Sequence, residues 1–234
     1  MMTSNAASTN SLSHLTNGFE IAPAVLDRSD VAVIADALQR EALDRSRAGA
    51  RHLMRYQSVQ QLARDPRLVA IAARFVGDAA VPFRATLFDK SSTSNWLVVW
   101  HQDTALPLLQ RREIPGWGPW SVKAGITYAR APASALSRVV ALRVHIDDSR
   151  IDNGPLRVLP GTHTLGVLPD VELGRLAREI PPVDCVLPAG GIVAMRPLLV
   201  HASSKAKSNQ QRRVLHIEYA ESLRMEDGLA LAVA

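Results

Sequence analysis

The sequence predicts a mainly β protein with flanking helices, built as an antiparallel barrel or jelly roll. Two observations carry this expectation. Helical periodicity is confined to the part before residue 80. From residue 81 onward the chain breaks into short β-rich segments separated by turn formers. Helices first and many strands later fit helices packed outside a folded sheet.

In chain order, residues 1–17 are rich in Ser, Thr and Asn and are expected to form a disordered tail. Residues 18–234 are then a single domain. Residues 19–26 read as a short strand that leads into the domain. Asp27 or Ser29 can cap a helix through about Arg45, with Val31, Ile34, Ala35, Leu38 and Leu43 on its apolar face. A second helical region, 58–76, is interrupted at Asp65-Pro66, because proline suits the first turn of a new helix, and Gly77-Asp78 ends it. Strands follow at 83–88, 96–100, 139–146, 156–159, 192–195 and 214–219, with a further buried strand at 197–200. Asn153-Gly154-Pro155, Pro160-Gly161 and Gly190-Gly191 supply turns. Residues 106–132 form a long segment rich in Gly, Pro and Trp. Trp117, Trp120 and Lys123 lie within it, so it either packs on the barrel or covers a substrate as a lid.

Composition narrows the function classes. The chain has 234 residues, 47% of them hydrophobic, and no apolar run approaches the roughly 20 residues of a membrane span. No basic start followed by an apolar core marks a secretory signal, and the single cysteine, Cys185, has no internal partner. A cytoplasmic enzyme is the simple reading. The formal charge of +5 comes from scattered arginines, with adjacent pairs only at Arg111-Arg112 and Arg212-Arg213. That is too sparse for a nucleic-acid surface and fits a small-molecule substrate. Nothing in the sequence fixes the oligomeric state.

The chemistry is expected at His101, Asp103 and His201. Side chains at i and i+2 of a strand project to one side, so His101 and Asp103 can converge on an ion while Gln102 points elsewhere. His201 ends another apolar run. Two imidazoles and a carboxylate form the triad that holds non-haem Fe(II) and leaves positions open for an organic acid and O2. A His-x-Asp pair alone occurs by chance, and its ordinary role is on a surface or at a cap. Arg212 has two readings, a surface ion pair or a planar fork for the free end of an iron-chelating dicarboxylate. Ser203 could add a hydroxyl to the same carboxylate. Arg213 should face the other way by strand alternation. Lys90 and Asn95 belong either to a solvated loop or to the site mouth, where one of them reaches an acid group. His145 and His216 read as hydrogen-bonded core residues, His163 as packing at a turn, and Cys185 as inert packing.

Three motifs taken together resemble the phytanoyl-CoA dioxygenase family of Fe(II)- and 2-oxoglutarate-dependent oxygenases. They are Trp100-His101-Gln102-Asp103, then Asp152-Asn153-Gly154-Pro155-Leu156 running into Leu159-Pro160-Gly161-Thr162-His163, and Arg196-Pro197-Leu198-Leu199-Val200-His201-Ala202-Ser203-Ser204 followed by Arg212-Arg213. The resemblance spans roughly residues 83–219. It implies a double-stranded β-helix (jelly roll, cupin-like), iron on His101, Asp103 and His201, and 2-oxoglutarate held by Arg212 with help from Ser203. It also implies a hydroxylation that consumes O2 and releases succinate and CO2. The presence of Asp103 points away from related halogenases, which lack that carboxylate. Several members carry a tryptophan beside the cosubstrate where this chain has Arg143, which would bind cosubstrate or an anionic substrate. The substrate itself is expected to be a small or medium metabolite. Two other readings stay open on the residues alone, a cupin-type metal dioxygenase that does not use 2-oxoglutarate and a non-enzymatic binding protein with a degenerate metal site.

Overall fold

Every residue of the strand Val139–His145 is buried, so no polar–apolar alternation in the sequence reveals which side chains face which layer. The computed structural model resolves that ambiguity; it describes residues 13–46, 49–91, 94–225 and 228–234. The strands are β1 (Phe19–Ala22), β2 (Arg45–Ser46), β3 (Gly49–Ala50), β4 (Val81–Lys90), β5 (Val98–His101), β6 (Ala105–Leu108), β7 (Trp120–Lys123), β8 (Ile126–Arg130), β9 (Val139–His145), β10 (Leu156–Val158), β11 (Val183–Cys185), β12 (Ile192–Met195), β13 (His201–Ser203) and β14 (Arg212–Ala220). The helices are α1 (Ser13–Asn17), α2 (Arg28–Arg40), α3 (Gln57–Ala63), α4 (Pro66–Val76), α5 (Ala133–Leu136) and α6 (Asp170–Glu179).

A seven-stranded antiparallel sheet runs β1-β12-β9-β14-β4-β3-β2, and a four-stranded sheet runs β11-β10-β13-β5. The two face each other. Ala141, Val193 and Met195 of the large sheet pack with Leu156, Val158 and Cys185 of the small one. The opposite face of the large sheet presents Leu87, Leu142, Val144, Leu215, Ile217 and Tyr219 to α2, α3 and α4. Alternate residues of β9 and β14 therefore have separate duties. Val140, Leu142 and Val144 bury against helices, and Arg143 and His145 turn toward the small sheet. Among the described residues no strand of one sheet pairs with a strand of the other, so this is an open jelly roll and not a closed barrel.

Local chemistry explains the helix ends. Asp27 caps α2 by accepting from the Asp30 amide, and Asp30 accepts from the Asp27 amide in return. The helix stops at Arg40, short of the expected Arg45, because Glu41 is extended and Arg45–Ser46 join the sheet edge. Asp65 caps α4, with Pro66 in its first turn. Residues 1–12 of the expected tail lie outside the described residues, and Ser13–Asn17 form a short helix. Residues 197–200 are a turn and not the expected strand. Proline at 197 brings no amide proton, and the Leu199 amide closes back on the Arg196 carbonyl at 3.1 Å.

Residues 106–132 are not one long loop, since only residues 109–119 within them run for any length without a strand or helix. The segment as a whole contains most of a third sheet, β6-β8-β7. Leu106, Leu108, Trp117 and Ala129 bury against Phe83, Val139 and Ala220, and Leu108 bridges Leu231 near the C-terminus. Ala124 and Gly125 turn the β7–β8 hairpin, while Pro115, Gly116, Gly118 and Pro119 lie in the connection from β6 to β7. No described helix is long and apolar enough to cross a membrane.

Candidate active site

His101 closes β5 and His201 opens β13, and the two are directly paired across these antiparallel strands. Each ring has its Nδ1 on a backbone carbonyl, His101 on Val99 at 2.9 Å and His201 on Leu199 at 2.8 Å. A carbonyl only accepts, so each Nδ1 donates to it and each ring turns its Nε2 the other way. Both Nε2 atoms face Asp103, with His101 Nε2 3.8 Å from Oδ1 and His201 Nε2 3.6 Å from Oδ2. The three ligand atoms lie within 4.8 Å of one another. Burial, followed by His101 and Arg143, pushes His201 down to about 4 against the pull of Asp103, so its imidazole is neutral and free to ligate. Burial opposes ionisation of Asp103, but His201 and His101 with His216 and Arg84 hold it well below the usual carboxylate range.

Two further contacts fix this cluster. The Asp103 amide donates to Pro197 at 2.9 Å, which ties the ligand-bearing turn to the segment before His201. Gln102 does point elsewhere. Its amide donates to Gly166 and Leu198 at 2.8 Å and accepts from Leu168. The donor set suits Fe(II): two imidazole nitrogens and one carboxylate, without thiolate.

Beside the cluster lies a cavity of about 460 Å³, its open mouth included, between the two sheets. Lys90, Arg143 and Arg212 line it, each at least 94% buried. Lys90 and Arg212 are register partners at one end of β4 and β14, and Arg143 faces His216 across β9 and β14. Arg212 donates to the Asn153 carbonyl at 3.2 Å and reaches Ser203 Oγ at 3.5 Å, while its Nη1 is buried with no partner. Ser203 accepts from Lys90 at 2.7 Å and donates to Gly154 at 2.9 Å, so it braces the cations. Arg143 stacks over Phe88, contacts His216 Nδ1 at 3.3 Å, and has a buried Nε without partner. Gly154 sits so close that a Cβ would fall 2.4 Å from the Ser204 carbonyl and 3.2 Å from Lys90 Nζ. Its φ of +70 also requires glycine.

Three cations in one buried cavity without a carboxylate beyond Asp103 are costly unless an anion joins them. Burial, then Arg143, lowers Arg212 to about 9. Burial, then Arg212 and Arg143, lowers Lys90 to about 7.

The remaining expected residues fall elsewhere. Asn95 does not line the cavity. Its amide is spent on both backbone groups of Ala206, at 2.9 and 2.8 Å, and staples two loops together. Arg213 faces outward and pairs with Asp147 at 2.8 Å. His145 is bound to the Arg143 carbonyl, His163 to the Leu15 carbonyl, and burial pushes the Cys185 thiol up to about 12. Sequence reasoning missed Phe88 and Trp96, which wall the cavity; Lys90 lies 5.4 Å from the Trp96 ring centroid. Aromatic residues in apolar strands carry no separate signal for this role.

Residues 16–214 match the phytanoyl-CoA dioxygenase (PhyH) family. The chain belongs to this family. Members of the phytanoyl-CoA dioxygenase family use Fe(II), 2-oxoglutarate and O2. A similar curated protein is L-proline trans-4-hydroxylase of Streptomyces griseoviridis, 28% identical over 185 residues, covering 68% of this chain and 61% of the hydroxylase. The chain thus spans less than two thirds of that relative's length. Among solved structures, AviO1 from Streptomyces viridochromogenes Tue57 superposes with a TM-score of 0.67 at 22% identity, covering 94% of this chain and 96% of AviO1. EctD from S. alaskensis, solved with 2-oxoglutarate and 5-hydroxyectoine, gives 0.69 at 18% identity, covering 94% and 78%. These structural likenesses establish the shared fold.

Proposed function

We propose that the chain is an Fe(II)- and 2-oxoglutarate-dependent oxygenase that hydroxylates an unactivated C–H bond of a small or medium metabolite. One observation carries this reading. A two-histidine, one-carboxylate cluster adjoins a cavity whose three buried cations lack an anion among the described residues. Family membership and the hydroxylase relative support the same chemistry. The overall change is substrate, O2 and 2-oxoglutarate to hydroxylated substrate, succinate and CO2, with one oxygen atom entering each organic product.

His101, Asp103 and His201 would hold the iron, which supplies the oxidising power when bound. Arg212 offers a planar fork to the distal carboxylate of 2-oxoglutarate, and Lys90 adds a point charge beside it. Ser203 and the Asn153 carbonyl hold the fork in place. Arg143, clamped between Phe88 and His216, would face the cosubstrate from the opposite strand. The two sheets bury these groups and so strengthen each charge contact by excluding water.

The test is anaerobic loading with Fe(II) and 2-oxoglutarate, followed by O2. One iron per chain and succinate formation that depends on 2-oxoglutarate are expected. Iron binding with oxidation that ignores 2-oxoglutarate would assign the cupin-type reaction instead. Failure to bind iron at all would leave a binding protein.

The lowered Lys90 value gives a pH signature. Lys90 is about half protonated near pH 7 in the ligand-free protein, with Arg212 and Arg143 as its charged neighbours. A bound dianion favours the protonated form, so binding should draw a proton onto Lys90. Affinity for 2-oxoglutarate should then fall as pH rises above 7, by up to about tenfold per unit until the bound-state value is reached. Calorimetry in buffers of different ionisation heat measures the uptake, and Lys90→Met should remove it.

A further inference from the structure

A second cavity, of about 780 Å³ including its open mouth, lies on the other side of the metal cluster and shares Phe88 and Asp103 with the first. Its charge balance is one-sided. Arg51, Arg84 and Lys123 contribute cations, and Asp103 is the only carboxylate in the lining. Two of these four charges are already matched. Arg84 pairs with Glu218 through two nitrogens and donates to the Ala105 carbonyl at 2.9 Å. Asp103 faces the two imidazoles. Arg51 and Lys123 have no carboxylate partner among the described residues.

The wall that presents them is built from distant parts of the chain. Lys123 ends β7, and its Nζ lies 5.0 Å from the Tyr128 ring centroid on β8. The Tyr128 hydroxyl is 2.9 Å from Nε2 of buried His52, next to Arg51. His52 holds a φ of 59, a left-handed conformation that non-glycine residues adopt at a cost and that clusters at binding sites. Partial burial, then Arg51 and Arg84, lowers the Lys123 ammonium below its usual range, the effect of like charges crowded on one wall.

We propose that this cavity is the substrate pocket and that Arg51 and Lys123 select a substrate bearing an anionic group, a carboxylate or a phosphate. The anionic group sits on these two side chains, and the body of the molecule extends past Phe88 toward Asp103. The inference rests on the oxygenase reading for its chemistry, though the charge preference can be measured without turnover. The pocket's cations are distinct from Lys90, Arg143 and Arg212, which line the first cavity.

Matched pairs test it by calorimetry on anaerobic protein loaded with Fe(II) and 2-oxoglutarate. One arm sets N-acetyl-L-amino acids against their amides, and the other sets sugar phosphates against the parent sugars. The expected result is one or more charged members binding at least about tenfold more tightly than the neutral counterpart, with the arm identifying carboxylate or phosphate. Arg51→Gln and Lys123→Gln should each lower that ratio by about tenfold, mainly by weakening the charged member, and Lys123→Arg should preserve most of it. Neutral members binding as tightly as charged ones would overturn the proposal. So would variants that weaken both members of a pair equally. If Fe(II) and 2-oxoglutarate themselves fail to bind, the oxygenase reading falls, and the same titrations on metal-free protein still decide the charge preference.

Discussion

Replacing His201 by alanine is expected to abolish iron binding and turnover. The imidazole is buried, neutral and aimed by the Leu199 carbonyl, and alanine at 201 would bring no lone pair to its place. Disturbing groups that merely orient metal ligands typically costs about 10–100-fold in affinity or activity. Loss of a ligand should therefore cost at least about a hundredfold, with activity below detection. His101→Ala should behave alike. Metal analysis after anaerobic loading checks the claim directly. Either variant retaining a full complement of iron would show that the ion sits elsewhere.

Arg212→Ala should leave iron bound and raise the Michaelis constant for 2-oxoglutarate steeply. Truncating one side of a buried charged contact costs about 2–5 kcal/mol, or roughly thirtyfold to several-thousandfold in affinity. Arg212→Lys should recover only part of this, because an ammonium keeps the charge and loses the two-pronged geometry. Arg213→Ala is the control. It breaks a half-exposed pair with Asp147, and its effect on cosubstrate should be small. Should Arg143→Ala prove more damaging than Arg212→Ala, the cosubstrate lies across β9 and not at the start of β14.

The sequence made the metal cluster legible because its ligands stand in short motifs with apolar runs before them. His101 and Asp103 are two residues apart, and only His201 had to be brought in by the fold. Strand alternation separated Arg212 from Arg213 for the same local reason. What stayed hidden depends on pairing between distant segments. Arg51 lies just past β3, whose Ala50 pairs with Leu87, and Lys123 lies on a hairpin that reads as a loop because of its glycines and prolines. Neither residue type carries a signal by itself. Asn95 shows the opposite failure. Its place near the metal motif is real, but a side-chain amide matches one peptide unit, and Ala206 takes it. The buried run 197–200 reads as a strand by hydropathy, yet a proline and a carbonyl three residues back make it a turn.

The two-sided duty of β14 sets where this chain can drift over generations. Leu215, Ile217 and Tyr219 lock into the helical layer, Tyr219 through its hydroxyl on the Ala63 carbonyl at 2.9 Å, while Arg212 and His216 on the same strand line the two cavities and Glu218 pairs with Arg84. One inserted residue there would swap the two sets and ruin core and site at once. β7 carries far less of this linkage: Trp120 packs on the core, while Ser121, Val122 and Lys123 are exposed. Changes at those three positions can therefore reshape the rim of the second cavity and leave the paired duties of β14 in place.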